Sequence, residues 1–180
     1  MKSSKGGAWE RDVAKFLTNW LTGQKKEYYF WRSPGSGSVA TITQSNTQIC
    51  GDIIAIKEEG NLLCDRVSIE CKNGYPKTLV ENHLKYNKSD QLREFWIQAN
   101  KQGTDSGKQP FLIYKKKGHK VPWVCVTDKF KNIFNDALID RRFIHLKYNS
   151  LPEMYMFAMD EFFQDIKPQM IKERLCIKSK

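Results

Sequence analysis

Three charged residues have the types and spacing of a hydrolytic centre. Glu70 and Lys72 end one apolar stretch, VSIECKNG, and Asp52 begins the preceding one, CGDIIAI. Because the side chains of a strand alternate between its two faces, Glu70 and Lys72 project from the same face while Cys71 points away. A carboxylate beside an ammonium suits metal-assisted phosphodiester hydrolysis, which needs oxygen ligands for a hard cation and a positive charge near the attacked phosphate.

The spacing of these residues allows a geometric prediction. If the two stretches form a hairpin that turns symmetrically about Asn61, Asp52 lies opposite Glu70, with the two Cβ atoms about 5 Å apart. Two carboxylates at that separation repel each other unless a cation lies between them. We therefore predict a Mg²⁺ ion, with Mn²⁺ as a substitute, because Mg²⁺ needs only one or two carboxylates and keeps several waters. The backbone carbonyl of Cys71 could add an oxygen, whereas a bulge in LLCDR (62–66) would change the register.

A third carboxylate lies on a predicted helix. Glu10 falls in the first turn of the segment KGGAWERDVAKFL and lines up with Val13, Leu17 and Leu21. A glutamate on an apolar stripe is unusual, since Glu is rarely buried unless it is paired. It could bind the metal directly or through water, or it could stabilise the helix N-terminus. The adjacent Arg11 could pair with Glu10 or contact phosphate.

Each of these features also has a structural explanation. A Glu-x-Lys triplet is a common salt bridge on one face of a strand, and Asp after Gly is ordinary turn chemistry. The chemical interpretation depends on the combination of helical Glu10, the Gly-Asp strand start and the Glu-x-Lys strand end in a basic chain. Beside a metal, Lys72 could position or deprotonate the attacking water, or offset charge in the transition state.

The charge of the chain indicates the kind of partner. Its 180 residues carry a formal net charge of +10, with a pI near 9.4. This favours a polyanion such as DNA over a basic surface kept only for solubility. A turn with Lys115 and Lys117 could hold phosphate or be merely solvated. The three histidines lie far apart, which argues against a histidine metal site, and PGSGS lacks the Gly-Lys-Ser/Thr ending of a nucleotide-binding loop, so we expect no nucleotide cofactor.

The cysteines and the hydropathy pattern predict a compartment. An odd number of cysteines without a CxxC pair is typical of reduced thiols in a cytoplasmic protein. These cysteines are Cys50, Cys64, Cys71, Cys125 and Cys176. No apolar run is as long as a membrane span, and MKSSKGG lacks the apolar core of a signal peptide. We therefore expect a cytoplasmic location and no membrane association.

The periodicity of apolar residues predicts alternating helices and strands. We predict helices over 7–22, 89–102, 127–139 and 153–166, and strands over 28–32, 49–57, a stretch ending at 72, 110–116, 121–126 and 143–148. Ser89 and Thr127 are the predicted N-caps. Apolar residues at helical spacing predict the buried faces of the first two helices, which include Trp9 on the first and Leu92, Phe95, Trp96 and Ala99 on the second. The long polar stretch 33–48 is predicted to be a functional or disordered loop. This order indicates an α/β fold with a mixed central sheet flanked by helices, in one domain over 1–180.

The four charged positions in this order resemble the PD-(D/E)XK nuclease superfamily. Within it, the sequence is similar to archaeal-type Holliday junction resolvases and to small phage-type endonucleases. The matching pieces are the segments KGGAWERDVAKFL, RSPGSGS, GDIIAIK and IECKNG, with a weaker match in DQLREFWIQA and FLIYKKK. The resemblance implies a restriction-endonuclease-like core, α-β-β-β-α-β, over about 7–126, followed by a C-terminal helical extension over about 127–180.

The same resemblance implies roles for particular residues. Asp52 and Glu70 would hold one or two Mg²⁺ ions, with the Cys71 carbonyl and Glu10 assisting, and Lys72 would be the catalytic lysine. In the resolvases a serine of the loop after the arginine is also important. Here Ser33, Ser36 and Ser38 are the candidates, and Ser36 is favoured. The DNA-contacting candidates are Arg11, Arg32, Ser33, Ser36, Lys115 and Lys117. The usual Pro-Asp is Gly-Asp here, and the loop before Asp52 is longer than in the archaeal enzymes.

These features together predict a Mg²⁺-dependent DNA endonuclease acting on branched DNA, in the manner of a Holliday junction resolvase. A homodimer is expected, because paired cuts across a junction need two active sites. One alternative is a duplex or nicking endonuclease of restriction or phage-replication type. The other is a non-catalytic DNA-binding protein on a nuclease fold, against which the intact set of four charged residues argues.

Overall fold

A computed structural model describes residues 5–24, 27–34, 50–75 and 90–175. Its helices are α1 (Lys5–Thr22), α2 (Asn61–Cys64), α3 (Gln91–Ser106), α4 (Asp128–Ile133), α5 (Asn135–Leu138), α6 (Met159–Asp165) and α7 (Pro168–Arg174). Its strands are β1 (Phe30–Arg32), β2 (Ile53–Ala55), β3 (Val67–Asn73), β4 (Gln109–Lys115), β5 (Trp123–Thr127), β6 (Ile144–Leu146) and β7 (Met154–Ala158). A short 3₁₀ turn, Glu58–Gly60, precedes α2.

The centre of the fold is a mixed sheet of five strands in the order β3-β4-β5-β7-β6. Strands β3 and β4 are parallel, and the other neighbouring pairs are antiparallel. Strands β1 and β2 form a separate antiparallel ribbon. The predicted α/β architecture, with a mixed sheet flanked by helices, is confirmed. Up to β4, the described part of the chain follows the predicted order α-β-β-β-α-β except for the short helix α2 between β2 and β3.

Two apolar clusters cover the two faces of this sheet. On one face, α1 and α6 meet through edge-to-face contacts of Phe16 and Trp20 with Phe163, and the Trp20 indole N–H donates to the Ile166 carbonyl at 2.7 Å. On the other face, α3 buries its predicted apolar stripe, Leu92, Phe95, Trp96 and Ala99, against the sheet. Helices α1 and α3 thereby contact β3, the strand that ends at Glu70 and Lys72, from its two faces, and α3 also covers β4.

The predicted hairpin between Asp52 and Glu70 is wrong. Asn61 begins helix α2 instead of forming a turn, and β2 pairs with β1 rather than with β3. The segment after the 3₁₀ turn becomes helical because Leu63 and Cys64 are buried there side by side, which a hairpin with alternating faces would not allow. The connection between β2 and β3 is therefore a helical crossover, and the link to β3 is a single parallel bridge from Gly51 to Ile69.

The prediction of a helical C-terminal extension is wrong in part, because two of its segments are strands. Residues 153–166 were predicted to form one helix, yet residues 154–158 form β7, and helix α6 begins only at Met159. Strand β7 lies between β5 and β6, where a buried strand can be apolar on both faces, so its Met and Phe residues do not alternate with polar ones. The predicted strand over 143–148 is confirmed in its centre as β6.

The predicted caps differ in outcome. Thr127 accepts a hydrogen bond from the Phe130 N–H at 3.2 Å and caps α4, as predicted, although the predicted helix over 127–139 divides at Phe134 into α4 and α5. The N-cap of α3 is Asp90, whose carboxylate accepts from the Arg93 N–H at 3.1 Å. Ser89 lies outside the described residues. In the described ranges no helix is long and apolar enough to span a membrane.

Candidate active site

The candidate site lies at the end of β3, an outer strand of the sheet. The Glu70 side chain is only 1% exposed, and one of its oxygens, Oε1, lies 2.5 Å from Lys72 Nζ. Both side chains lie on the face covered by α3, because the Lys72 ammonium also sits 5.4 Å from the ring centroid of Phe95. The predicted same-face pairing of Glu70 and Lys72 is confirmed, and two contacts hold the ammonium in place.

Asp52 reaches the same strand by a route that depends on Gly51. The Asp52 N–H donates to the Ile69 carbonyl at 2.7 Å, and Asp52 Oδ2 accepts from the Cys71 N–H at 2.8 Å. Gly51 has φ of 85°, and a Cβ there would lie 2.6 Å from the Ile69 carbonyl oxygen. Only glycine tolerates both the left-handed conformation and this close approach. The Gly-Asp pair thus presses Asp52 against the backbone of β3.

The electrostatics of the site oppose the charged form of Asp52. Burial raises the pKa of the Asp52 carboxyl to about 7, and the nearby charges of Glu70 and Glu10 act in the same direction. The hydrogen bond from the Cys71 N–H and the charge of Lys72 lower this pKa, but they do not compensate. The positive charge near Asp52 therefore does not offset its burial and the two neighbouring carboxylates, which is a situation that a bound cation would relieve.

A second observation also indicates too little positive charge at this site. Glu70 Oε2 is buried and has no hydrogen-bond partner among the residues that the structure describes. An unpaired buried carboxylate oxygen is costly, and such groups in native proteins have a reason, of which an ion is one. In the described ranges no three His, Cys, Asp or Glu side chains are grouped to hold a metal. Mg²⁺ does not need such a group, because one or two carboxylates and several waters suffice.

Cys71 offers its backbone rather than its thiol. Burial raises the pKa of the Cys71 thiol well above its usual range, so the side chain stays protonated and is a poor metal ligand. The N–H and C=O of an extended residue point to the same side of its strand. Because the Cys71 N–H donates to Asp52, the Cys71 carbonyl also points toward Asp52. This orientation is compatible with the predicted role of the carbonyl as a ligand.

Glu10 is buried beside this group, and its partner is Arg32. The Arg32 Nε atom lies 3.2 Å from Glu10 Oε2, and the Arg32 side chain is about one-third exposed. Sequence reasoning assigned Arg32 to DNA and Arg11 to a pairing with Glu10 or with phosphate. The structure pairs Glu10 with Arg32, and Arg11 is half-buried on α1. The pair explains how the carboxylate of Glu10 tolerates burial on an apolar stripe.

The other predicted DNA contacts differ in their exposure and in their neighbours. Ser33 is buried, and its N–H donates to the Asp52 carbonyl at 2.8 Å, which extends the ribbon of β1 and β2. The favoured Ser36 lies outside the described residues. Lys115 ends β4 with its ammonium 5.4 Å from the ring centroid of Trp9, the neighbour of Glu10 in sequence. Lys117 is exposed in the turn between β4 and β5.

Two contributors were missed by sequence reasoning. Phe95 was predicted only as part of the buried stripe of α3, and its contact with Lys72 depends on how that helix crosses β3. Trp9 was predicted as a core residue, and nothing in the sequence indicates that Lys115 lies over its ring. The need for glycine at position 51 did have a signal, since Gly-Asp replaces the usual Pro-Asp, but the reason lies in the contact with Ile69.

A mixed sheet whose outer strand presents Glu70 and Lys72 beside Asp52 defines a nuclease core of the PD-(D/E)XK class. A family model described as "Phage putative PDDEXK endonuclease" matches residues 1–173 of this chain. The chain belongs to that family of endonucleases, which covers the C-terminal extension as well as the core. No curated protein and no solved structure matches the chain significantly.

Proposed function

We propose that this endonuclease is a Mg²⁺-dependent enzyme that hydrolyses phosphodiester bonds of DNA, and that the centre at the end of β3 carries the reaction. The observation that supports this most strongly is the buried Glu70 oxygen without a partner among the described residues, beside an Asp52 carboxyl with a pKa of about 7. Groups perturbed in this way cluster at functional sites.

The residues fit a divalent ion held by Asp52 and Glu70. The carbonyl of Cys71 would add an oxygen, and Glu10, which is paired with Arg32, would assist directly or through water. When bound, Mg²⁺ lowers the pKa of a water and stabilises negative charge on the phosphoryl oxygens, and Mn²⁺ can replace it. Asp52 must be ionised for this role, so its ionisation accompanies loading of the site.

Lys72 acts beside this group. Glu70 and Phe95 hold its ammonium, and its side chain is 17% exposed, so it is partly desolvated and positioned for an incoming phosphate. We assign it to orientation of the attacking water and to compensation of charge that develops at phosphorus. Arg would not replace it well, because Arg keeps the positive charge but loses the compact ammonium.

The DNA backbone runs past this edge in the proposal. Lys115 over Trp9 and the exposed Lys117 supply phosphate contacts on the β4 side, and Arg11 supplies one on α1. Arg32 can exchange Glu10 for phosphate, and Ser33 and Ser36 remain candidates in the loop that leads away from β1. Such contacts position the duplex without reading its sequence.

Branched DNA and a homodimer are the finer parts of the proposal. Both derive from the resemblance of the motif segments to junction resolvases, and a duplex or nicking endonuclease is the competing substrate class. We further propose that residues 1–180 act as one nuclease domain with its core over about 7–126. The cytoplasmic location predicted from the cysteines stays a prediction, while the described cysteines, Cys50, Cys64, Cys71 and Cys125, are free thiols.

The test is a cleavage assay with wild-type protein and Asp52→Ala on a four-way junction, a linear duplex and a single strand, each with Mg²⁺, Mn²⁺ or EDTA. Asp105→Ala is the matched control, because this exposed aspartate pairs only with Lys101 on α3 among the contacts described. We expect cutting that needs both the metal and Asp52, with the junction cut fastest. Faster cutting of linear duplex selects the competing class. Binding without cutting under any condition contradicts the catalytic proposal.

A further inference from the structure

An aromatic side chain stands beside the candidate site without a role in the chemistry described above. Tyr75 follows β3 by two residues, is 38% exposed, and lies edge-on against Phe95 with ring centroids 4.8 Å apart. The same Phe95 ring contacts Lys72 Nζ at 5.4 Å. These two distances limit the separation between the Lys72 ammonium and the Tyr75 ring centre to about 10 Å, which corresponds to about three base steps along one strand of a duplex.

The backbone places this ring on the face of the catalytic residues. Alternation along β3 would put Tyr75 with Cys71, on the face opposite Lys72. Gly74 interrupts the alternation: its φ is 88°, and its N–H donates to the Lys115 carbonyl at 3.1 Å. This left-handed turn brings the ring of Tyr75 onto Phe95, on the Lys72 side. Burial alone does not account for this placement, since much of the ring stays exposed.

We infer that Tyr75 stacks against a nucleobase that has left the base-paired stack within about three nucleotides of the phosphate attacked at Lys72. The inference rests on the proposed function, and it names the feature of branched DNA that the site would recognise. An aromatic face binds any base, so this contact selects unpaired structure rather than sequence. A continuous duplex keeps its bases stacked and offers Tyr75 nothing to bind.

The simplest competing explanation is that Tyr75 covers Phe95 and supports the fold. Tyr28 provides a matched control for this explanation. It is the same residue type, 41% exposed, and lies edge-on to Trp31 with ring centroids 5.2 Å apart, but Trp31 does not contact Lys72 in any described interaction. A residue that only covers an aromatic neighbour should behave like Tyr28 in every DNA assay.

The experiment measures binding in EDTA, so that it does not depend on cleavage. The probes are a fully paired duplex and the same duplex with an unpaired bulge that contains 2-aminopurine, and the proteins are wild type, Tyr75→Ala, Tyr75→Phe and Tyr28→Ala. We expect wild type to prefer the bulged probe and to quench its fluorescence. Tyr75→Ala should lose about tenfold of that preference, while Tyr75→Phe and Tyr28→Ala keep it within about twofold.

Several results would overturn the inference. They are an unchanged preference in Tyr75→Ala, an equal loss in Tyr75→Phe, which would assign the effect to the hydroxyl, and an equal loss on both probes. Thermal unfolding of each variant shows whether folding accounts for a loss. If wild type cuts no DNA with Mg²⁺ or Mn²⁺ but shows the Tyr75-dependent preference, the catalytic proposal fails alone. If it cuts and the preference does not depend on Tyr75, only the inference fails.

Discussion

The two ends of the five-stranded sheet each carry a glutamate beside a lysine. The two pairs differ in burial and in whether both carboxylate oxygens have partners. At the β6 end, Glu153 is about one-third exposed, and both of its oxygens have partners: Lys147 at 2.8 Å and His145 at 2.7 Å. At the β3 end, Glu70 is buried, pairs with Lys72 through one oxygen, and leaves the other without a described partner.

The electrostatic consequences are also opposite. Hydrogen bonds to Lys147 lower the pKa of the Glu153 carboxyl, as expected for a surface ion pair, whereas burial and neighbouring carboxylates raise the pKa of Asp52 at the β3 end to about 7. The β6 group is a set of compensated charges that needs nothing further. The β3 group is only partly compensated, by Lys72 and Arg32, and its burial costs stability. The proposed function explains this cost, because a cation and a phosphate would complete the group.

The largest effect should come from exchanging the two glutamates for glutamine. Glu70→Gln keeps the size of the side chain but removes its charge, and we expect cleavage to fall about 10³-fold or more because the metal loses a ligand. Glu153→Gln should change the rate by less than about twofold, because exposed ion pairs contribute little. Rate constants on the best substrate measure both. Similar losses in the two variants would remove the distinction between the two ends.

The lysines allow a second comparison. Lys72→Met should lower the rate of the chemical step about 10²-fold, which is typical when one stabilising charge is removed from an active site. Lys147→Met should leave it unchanged. Single-turnover cleavage separates this effect from DNA binding. A loss confined to binding affinity would reassign Lys72 to phosphate positioning.

The pKa of Asp52 predicts a pH dependence of folding in metal-free protein. Its folded value of about 7 lies above the unfolded value of 3.8, so the folded state binds more protons between these two pH values. The contribution of Asp52 is therefore neutral below about pH 4 and becomes unfavourable as the pH rises to about 7. Allowing for solvent screening, the penalty is about 2 kcal/mol, and Asp52→Asn should gain it at pH 8.

Urea unfolding at several pH values measures this difference between wild type and Asp52→Asn. At the β6 end, the pH dependence of the unfolding free energy should have the opposite sign, and comparison with Glu153→Gln measures it. The pKa of Glu153 is lowered in the folded state, so its ionised form stabilises the fold above the unfolded pKa, and this stabilisation is lost on acidification. A difference between wild type and Asp52→Asn that does not change between pH 4 and pH 8 would contradict the described electrostatics.

The smallest predicted difference is the one in stability between two glycine variants, and it isolates the contact that places Asp52. Gly51 and Gly118 share nearly the same backbone conformation, with φ of 85° and 84°, but a Cβ at Gly118 would meet nothing within 4 Å. Gly118→Ala should cost about 1 kcal/mol for its left-handed conformation alone. Gly51→Ala should cost about 1–2 kcal/mol more, from the clash with Ile69, and should also impair cleavage. Equal costs in urea unfolding would show that the close approach carries no weight.

The sequence predicts the grouping of Asp52, Glu70 and Lys72 better than it predicts their geometry. Strand periodicity correctly puts Glu70 and Lys72 on one face, but the hairpin that would pair Asp52 with Glu70 does not form. Residues 62–64 are equally compatible with a strand and with a turn of helix, and only the burial of neighbouring side chains in the folded core decides between them. Asp52 then reaches β3 through hydrogen bonds to the backbone of Ile69 and Cys71, which no side-chain pattern reveals.

The C-terminal part shows a related limit. Met154–Ala158 has no polar alternation, so its apolar run reads as a helix until β5 and β6 are known to lie on both sides of it. The contacts of Phe95 with Lys72 and Tyr75 join a helix, a strand and a turn, and they depend on how α3 crosses the sheet. Local signals such as the Thr127 cap were read correctly because their causes lie within four residues.

The measurement that tests the central claim most directly is a Mn²⁺ titration followed by electron paramagnetic resonance, on protein without DNA. It compares wild type and Glu153→Gln with Glu70→Gln and Asp52→Asn. The β3 end should bind an ion in the first two proteins and lose it in the last two, since Asp52 and the second oxygen of Glu70 are the proposed ligands. Equal Mn²⁺ binding by all four proteins would contradict the assignment of the metal to this end of the sheet.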